Sequence, residues 1–476
     1  MNRSRLRLIH SLESPRRHAL LLVAVLFCSL ACLPAHAGAG PAPATAETSE
    51  LSARVDALFE CVTDVDAPGA SVLVAQSGQI LHAKAYGLAN IELGVPNRTN
   101  TVFRLGSITK TFTAAAILQL HDRGVLDIDD PVARYLPDLP HAGEITIRHL
   151  LTHTSGITSL DDAPLEFTPG ERMNYSNVGY RILGQIIEQV SGLSYEEYLS
   201  ANILQPLGLT STGYERHATI VKHRASGYGI DETAAYINAP YQDVAATYSF
   251  GALYSTVEDL YRWDQALSSG GLLRPDTLAL AFSPATLNDG THSTFGLGCM
   301  IGRYRGLTEI SHGGDITGFN SYIARFPEYD FTVIVLSNVA MRPSGPLPSA
   351  RDLARRIAEI YLSDHMAELQ EPVVASIDPA VYQAYVGRYR CYGAPEVLEV
   401  MGDILTISTD GSALFADTDA GRIPLLPESQ TTFFTVPELE IRLTFIVDET
   451  GRANRIIIDL MGVRELRGER VQDESQ

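Results

Sequence analysis

Lysine is nearly missing from this chain. Of its 36 basic side chains only Lys84, Lys110 and Lys222 are lysines, and the whole is acidic, with a net charge of −20 at pH 7. A surface of that sign does not draw in nucleic acid or an anionic membrane through its general field. Cysteine is sparse too: Cys28 and Cys32 fall near the start, while Cys61, Cys299 and Cys391 are widely spaced. Three such residues leave room for one disulfide and exclude a disulfide framework. There is no His-Glu-x-x-His and no Cys-x-x-Cys, so neither a metal nor another cofactor is expected. Past residue 40 no run is long and apolar enough to span a membrane. No segment recurs at a fixed period, which excludes a solenoid.

The first residues differ from the rest. Arg3, Arg5, Arg7, Arg16 and Arg17 precede an apolar run from Ala19 to Leu33, and Ala35-His36-Ala37 supplies a small-x-small site. This is the pattern of a secretory signal peptide over 1–37, cleaved near Ala37, with a periplasmic or secreted destination. Cys32 is a poor lipid attachment site, because a leucine sits where the preceding tripeptide needs a smaller residue. Losing five arginines and one glutamate with the signal would take the net charge from −20 to −24. Residues 38–47 (GAGPAPATAE) then read as a small-residue linker.

The scarce lysine makes Lys110 conspicuous. It stands three residues after Ser107 in FRLGSITKTFTAAAILQLHDRG, one helical turn apart and so on the same face. From Lys110 to His121 the segment carries no charge, the mark of a helix buried nearly all round, and Gly124 supplies its end. A lysine buried there is costly unless compensated, and one with a lowered pKa is a usable base. Ser-x-x-Lys is the pairing of a weak hydroxyl nucleophile with the group that activates it.

Such a pair needs a proton shuttle, donors for an oxyanion and a wall that holds the substrate. Tyr175-Ser176-Asn177 follows in FTPGERMNYSNVGY, ahead of an amphipathic helix over Val178–Val190. A tyrosine beside an ammonium ionises more readily and can take a proton and return it; Asn177 can orient the lysine and a substrate amide. The third element is Ile310-Ser311-His312-Gly313-Gly314-Asp315. Its two glycines would admit another chain along a strand edge, and the Asp315 amide would join that of Ser107 in an oxyanion hole. His153-Thr154-Ser155-Gly156 also sets a serine near a histidine, but residues this close in sequence fit a turn better than a dyad.

Around these motifs the pattern mixes elements. Leu51, Val55, Leu58 and Phe59 form a helical stripe; Ala70–Gln76 and Ile80–Ala89 read as strands about a Ser77-Gly78 turn; Tyr195–Leu204 reads as a helix. Strands return at Phe295–Tyr304, Glu309–Ser311, Asn320–Phe326 and Phe331–Ser337, with a helix near Arg351–Leu362. The expected fold is α+β: one antiparallel sheet from both ends of residues 48–365, flanked by helices, with a helical subdomain between. Short strands at Val397–Val400, Ile404–Ser408, Thr432–Val436, Arg442–Val447 and Arg455–Leu460 predict a separate all-β barrel or sandwich over 378–470.

VFRLGSITKTFTAAAILQL, ITIRHLLTHTSGI, FTPGERMNYSNVGY and ISHGGDITGFNS, in this order, resemble the serine β-lactamase-like family: class C β-lactamases, penicillin-binding D,D-peptidases, D-aminopeptidases and related esterases. The resemblance implies Ser107 as nucleophile, Lys110 and Tyr175 as base system, Asn177 as positioning group and His312, Gly313, Gly314 and Asp315 as binding wall. The tail, with Tyr385-Val386-Gly387-Arg388-Tyr389, resembles the lipocalin-like domain carried by many such hydrolases. The implied activity is an exported serine hydrolase forming an acyl-enzyme on a small ester, amide or D-amino-acid peptide. The alternatives are a β-lactamase or D,D-peptidase, and a penicillin-recognising binding module without turnover. His312-Gly313-Gly314 stands where β-lactamases and D,D-peptidases usually have Lys-Thr-Gly, which favours the esterase and D-aminopeptidase branches. At neutral pH a histidine there offers a hydrogen bond rather than a fixed cation, and acidification toward its ordinary pKa of ~6.5 is expected to restore some affinity for carboxylates.

Overall fold

Period-two alternation builds the main sheet. The computed structural model describes residues 46–471 apart from 64–65, 232, 341–346, 369–373, 393–401, 419–420, 436–440 and 461–463. The expected signal peptide, most of the linker and the strand expected at Val397–Val400 lie outside the described residues. Six strands, β1 (Ala70–Gln76), β2 (Gln79–Tyr86), β3 (Met300–Tyr304), β4 (Leu307–Ile316), β5 (Phe319–Phe326) and β6 (Phe331–Ser337), lie in the order β3-β4-β5-β6-β1-β2. All neighbours are antiparallel, and β1 from the start of the chain pairs with β6 (Val72 opposite Val335), as both ends of the segment were expected to do.

Five longer helices cover this sheet and the site: α1 (Ala46–Ala57), α2 (Thr109–Asp122), α3 (Asn177–Ser191), α4 (Val257–Ser268) and α5 (Ala350–Leu362). Val72, Val74, Val333 and Val335 point to one side, onto Val55, Leu353 and Ile357 of α1 and α5. Leu73, Ile334 and Leu336 point to the other, where Phe112, Ile117, Leu260 and Trp263 of α2 and α4 meet them. The central strands therefore read as continuous apolar runs, because both faces are covered. Each fully buried Val or Leu stabilises by roughly 1.5–3 kcal/mol, so the sheet–helix contacts set the site on a rigid floor.

Several boundaries moved for local reasons. α1 begins at Ala46, inside the expected linker. The strand expected over Ile80–Ala89 breaks at Gly87, whose φ of 66° and approach to the Pro68 backbone admit no side chain. The strand expected from Phe295 begins only at Met300, since Gly298 (φ 100°) turns the chain against Ala114. Tyr195–Leu199 is α-helical but continues as a wider π turn over Ser200–Leu204. Cys61, Cys299 and Cys391 are all free thiols, so the disulfide left open by their number does not form.

The tail closes into a barrel of eight strands: β7 (Gly387–Tyr392), β8 (Ile404–Thr409), β9 (Leu414–Thr418), β10 (Gly421–Pro427), β11 (Thr432–Phe434), β12 (Ile441–Val447), β13 (Ala453–Leu460) and β14 (Arg464–Arg470). Sequence neighbours pair throughout, and β14 returns to β7. This up-and-down closure removes both sheet edges. Its interior is filled by Tyr385, Tyr389, Phe433, Phe445, Ile456 and their neighbours.

Candidate active site

Ser107 sits in a 3-10 turn, Gly106–Ile108, just ahead of α2 rather than inside it. Two hydrogen bonds tie that turn to Leu253: Leu105 N–H donates to Leu253 O at 2.9 Å, and Leu253 N–H donates to the Thr109 side-chain Oγ1 at 3.1 Å. On its other side the turn lies against β4. A Cβ on Gly314 would come within 1.9 Å of Leu105 O and 3.3 Å of Ser107 N, and one on Gly106 (φ 52°) within 2.9 Å of Asp315 O. The close approach that the glycines permit is thus made by the chain's own Ser107 turn, whether or not a substrate also lies along the strand. Gly313 faces away, its missing Cβ in ordinary contact with the Tyr322 ring. β3 pairs with β4 only as far as Ser311, so the outer edge of residues 312–316 runs beyond it.

Lys110, in the first turn of α2, is completely buried. Its Nζ donates to Ser107 Oγ at 3.0 Å, to Asn177 Oδ1 at 2.7 Å and to Phe250 O at 3.1 Å. The rings of Tyr175, Phe250 and Tyr180 stand 4.7, 5.3 and 5.6 Å from the same nitrogen. These three acceptors are uncharged. An ammonium can donate to all three; a neutral amine can still donate to the carbonyl oxygens of Asn177 and Phe250 and turn its lone pair to the Ser107 hydroxyl. The site therefore accommodates both protonation states of the amine, as a base requires.

Local sequence explains how Tyr175 and Asn177 arrive there. Ser176 caps α3, its Oγ accepting from Gly179 N–H at 3.2 Å and donating to Ile157 O at 3.0 Å. The cap fixes Tyr175 just outside the helix and Asn177 as its first residue, one on each side of the bend. Tyr180, the second tyrosine near Lys110, donates its hydroxyl to Leu151 O at 2.9 Å, and burial raises its pKa well above the ordinary phenol value. Tyr180 therefore stays protonated.

His312 reaches the same cluster on β4, its ring centroid 6.2 Å from that of Tyr175 and 5.9 Å from that of Phe295. Its environment overturns the expected titration. The ring is buried, and desolvation together with the charge of Lys110 pushes its pKa down to about 3. Its Nδ1 lies 2.7 Å from Gly313 O, an acceptor, so the neutral ring carries its proton there. Nε2 is then an acceptor, buried and without a hydrogen-bond partner in the protein. His312 offers neither a cation nor an N–H to a substrate carboxylate, and acidification above pH ~4 does not create one. An apolar cavity of about 60 Å³ lies behind it, lined by Trp263, Leu278, Leu297, Cys299 and Ile323.

The structure thus brings Ser107, Lys110, Tyr175, Asn177 and His312 together, and sets the Gly314–Asp315 backbone against the Ser107 turn. Two contributors were not legible in the sequence. The Phe250 carbonyl is a main-chain acceptor in a short helix, Tyr248–Gly251, and carries no side-chain signal. Phe295 packs edge-on against Tyr175 and His312 from a segment that read as strand. Ser155 is no partner for His153: its Oγ accepts from Ile157 N–H at 3.3 Å, in a turn. Among the described residues no group of His, Cys, Asp and Glu could hold a metal, and no helix is long and apolar enough to cross a membrane.

Comparison with known proteins shows which proteins the chain is similar to. The beta-lactamase family matches residues 55–361, and a domain of unknown function, DUF3471, matches 371–470. A penicillin-binding protein of Bacillus subtilis (strain 168) is 29% identical over 85% of this chain and 96% of its own length. The octameric penicillin-binding protein homologue from Pyrococcus abyssi superposes with a TM-score of 0.58 at 24% identity, covering 88% of this chain and 99% of that one. The D-amino acid amidase from Ochrobactrum anthropi SV3, solved with L-phenylalanine amide, gives 0.58 at 24% identity over 66% of this chain and 99% of its own.

Proposed function

Because the chain belongs to the beta-lactamase family of serine hydrolases, we propose that it cleaves neutral esters or amides through an acyl-enzyme on Ser107. The observation that carries this reading is the buried Lys110 amine, shared among Ser107, Asn177 and Phe250. In the proposed cycle Ser107 Oγ attacks the substrate carbonyl as its proton passes to the Lys110–Tyr175 pair. The Ser107 and Asp315 amides receive the oxyanion, and Tyr175 returns the proton to the departing alcohol or amine. Water, deprotonated by the same pair, then releases the acid. Two helices, α2 and α3, open at this point, and their N-termini favour the developing negative charge.

The preference for neutral substrates rests on His312. A lysine at that position would meet a carboxylate as a fixed cation, and a charge-assisted hydrogen bond is roughly twice as strong as a neutral one. Because His312 gives a carboxylate no hydrogen bond at all, the missing bond should cost carboxylate-bearing substrates about 1.5–3 kcal/mol, on the order of ten- to a hundred-fold in affinity. A panel of p-nitrophenyl esters, D-amino-acid amides and nitrocefin tests this, with His312→Lys beside the wild type. Esters or amides should lead, and the variant should raise the ratio of nitrocefin to ester turnover. A flat ratio, or nitrocefin as the best wild-type substrate, would contradict it. A second reading, hydrolysis of peptidoglycan peptides, is favoured by the likeness to a penicillin-binding protein across nearly its whole length. Export is also proposed, supported by the arginine-rich start, the apolar run and Ala35-His36-Ala37. The mass of the mature protein, beginning near Gly38, tests that step.

A further inference from the structure

His153 has no place in the cycle above, yet it holds the Tyr175 segment at three points. Its carbonyl accepts from Asn174 N–H at 2.9 Å, and its ring Nδ1 accepts from Ser176 N–H at 3.0 Å. Its ring packs on that of Tyr175 with centroids 4.1 Å apart and planes inclined by 31°. The main chain before and after Tyr175 and one surface of its ring are therefore all fixed by one residue. His153 is itself pinned: it is buried, with Tyr180 at 4.9 Å and Phe295 edge-on at 4.6 Å. Its φ of 58° lies in the left-handed region, which costs a non-glycine residue on the order of 1 kcal/mol. A turn alone would be made more cheaply by glycine, as it is three residues on at Gly156.

We propose that His153 is a positioning residue for the proton shuttle: a neutral imidazole that fixes the Tyr175 phenol against Lys110. This rests on the reading of Tyr175 given above. The Ser176 N–H needs an unprotonated Nδ1, so the ring acts as an acceptor and not as an acid or base. The gain is geometric. Lys110 Nζ stands 4.7 Å from the Tyr175 ring, and a displacement of about 1 Å between such groups costs on the order of a hundred-fold in rate.

Three variants separate positioning from folding. His153→Gly keeps the left-handed turn but removes the acceptor and the ring. With a p-nitrophenyl ester its kcat should fall about a hundred-fold while KM stays within about three-fold. His153→Asn tolerates the same φ and restores an acceptor near the Nδ1 position, so kcat should recover to within about ten-fold of wild type. In a Tyr175→Phe background His153→Gly should change the rate of Ser107 labelling by a fluorophosphonate less than three-fold, because the hydroxyl it serves is gone. A folded glycine variant with wild-type kcat overturns the proposal. So does an asparagine variant that loses a hundred-fold, or a full loss that persists without the Tyr175 hydroxyl. If the glycine variant does not fold, the asparagine variant decides alone on the same criterion. Failure of the underlying reading shows separately, as a Tyr175→Phe protein that keeps the wild-type kcat.

Discussion

Acid should weaken this fold through His312, and by an amount that can be worked out. The free side chain titrates at ~6.5, whereas in the fold burial and Lys110 hold it down at about 3. A folded-state pKa below the unfolded one means that this contribution to stability is complete above pH ~6.5 and is lost as pH falls toward 3. Between pH 7 and pH 5 the unfolded chain takes up about 0.7 of a proton at this position and the folded chain almost none. The loss over that interval is about 2 kcal/mol. His82, pushed to about 4 mainly by burial, adds a similar slope, so the test must be a difference between proteins. His312→Asn removes the titration and leaves His82 in place. Urea unfolding should be followed by the fluorescence of Trp263, the chain's single tryptophan, stacked on Phe112 at 4.0 Å in the sheet–helix core. The wild type should lose about 2 kcal/mol more than His312→Asn from pH 7 to pH 5. Parallel losses in the two proteins would refute the assignment of His312 as a buried neutral ring.

The two adjacent glycines of β4 should respond differently to alanine. Gly314→Ala drives a Cβ into Leu105 O, a main-chain atom that cannot swing aside, and should cost ~3 kcal/mol or more and slow Ser107 labelling. Gly313→Ala meets the Tyr322 ring at 3.4 Å and should change the melting temperature little; equal effects would refute the turn-against-strand geometry. The barrel should be dispensable for acylation. A chain ending at Glu368 keeps Met366 packed on the sheet core and Ala367 bonded to Arg305 O, so it should stay soluble and label at the wild-type rate. A soluble but unreactive product would show that the barrel completes the site.

Much of this architecture was legible because its signals are local and repeated. Ala70–Gln76 and Phe331–Ser337 fell where their apolar runs and turn residues set them, and α3 closes at Gly192, with a φ of 70°, just past the expected Val178–Val190. The errors came from long-range contacts. Nothing beside Gly298 in sequence announces that Ala114 fills the space of its side chain, so the run from Phe295 read as one strand. His312 was recognised as a histidine in place of a lysine, but its titration depends on burial and on Lys110, two hundred residues away in the chain. The glycines of β4 announce a close neighbour, but not that the neighbour of Gly314 is the Leu105–Ser107 turn. Patterns within a segment report its own backbone; they do not report what another segment brings to it.

The central claim is that Ser107, activated by Lys110, is the covalent nucleophile. Intact-mass spectrometry of the mature protein after a fluorophosphonate tests it most directly, with Ser107→Ala and Lys110→Ala treated in parallel. The wild type should gain one phosphonyl group, Ser107→Ala none, and Lys110→Ala should label at least a hundred-fold more slowly, on the scale of a lost general base. Labelling of Ser107→Ala at the wild-type rate would contradict the account.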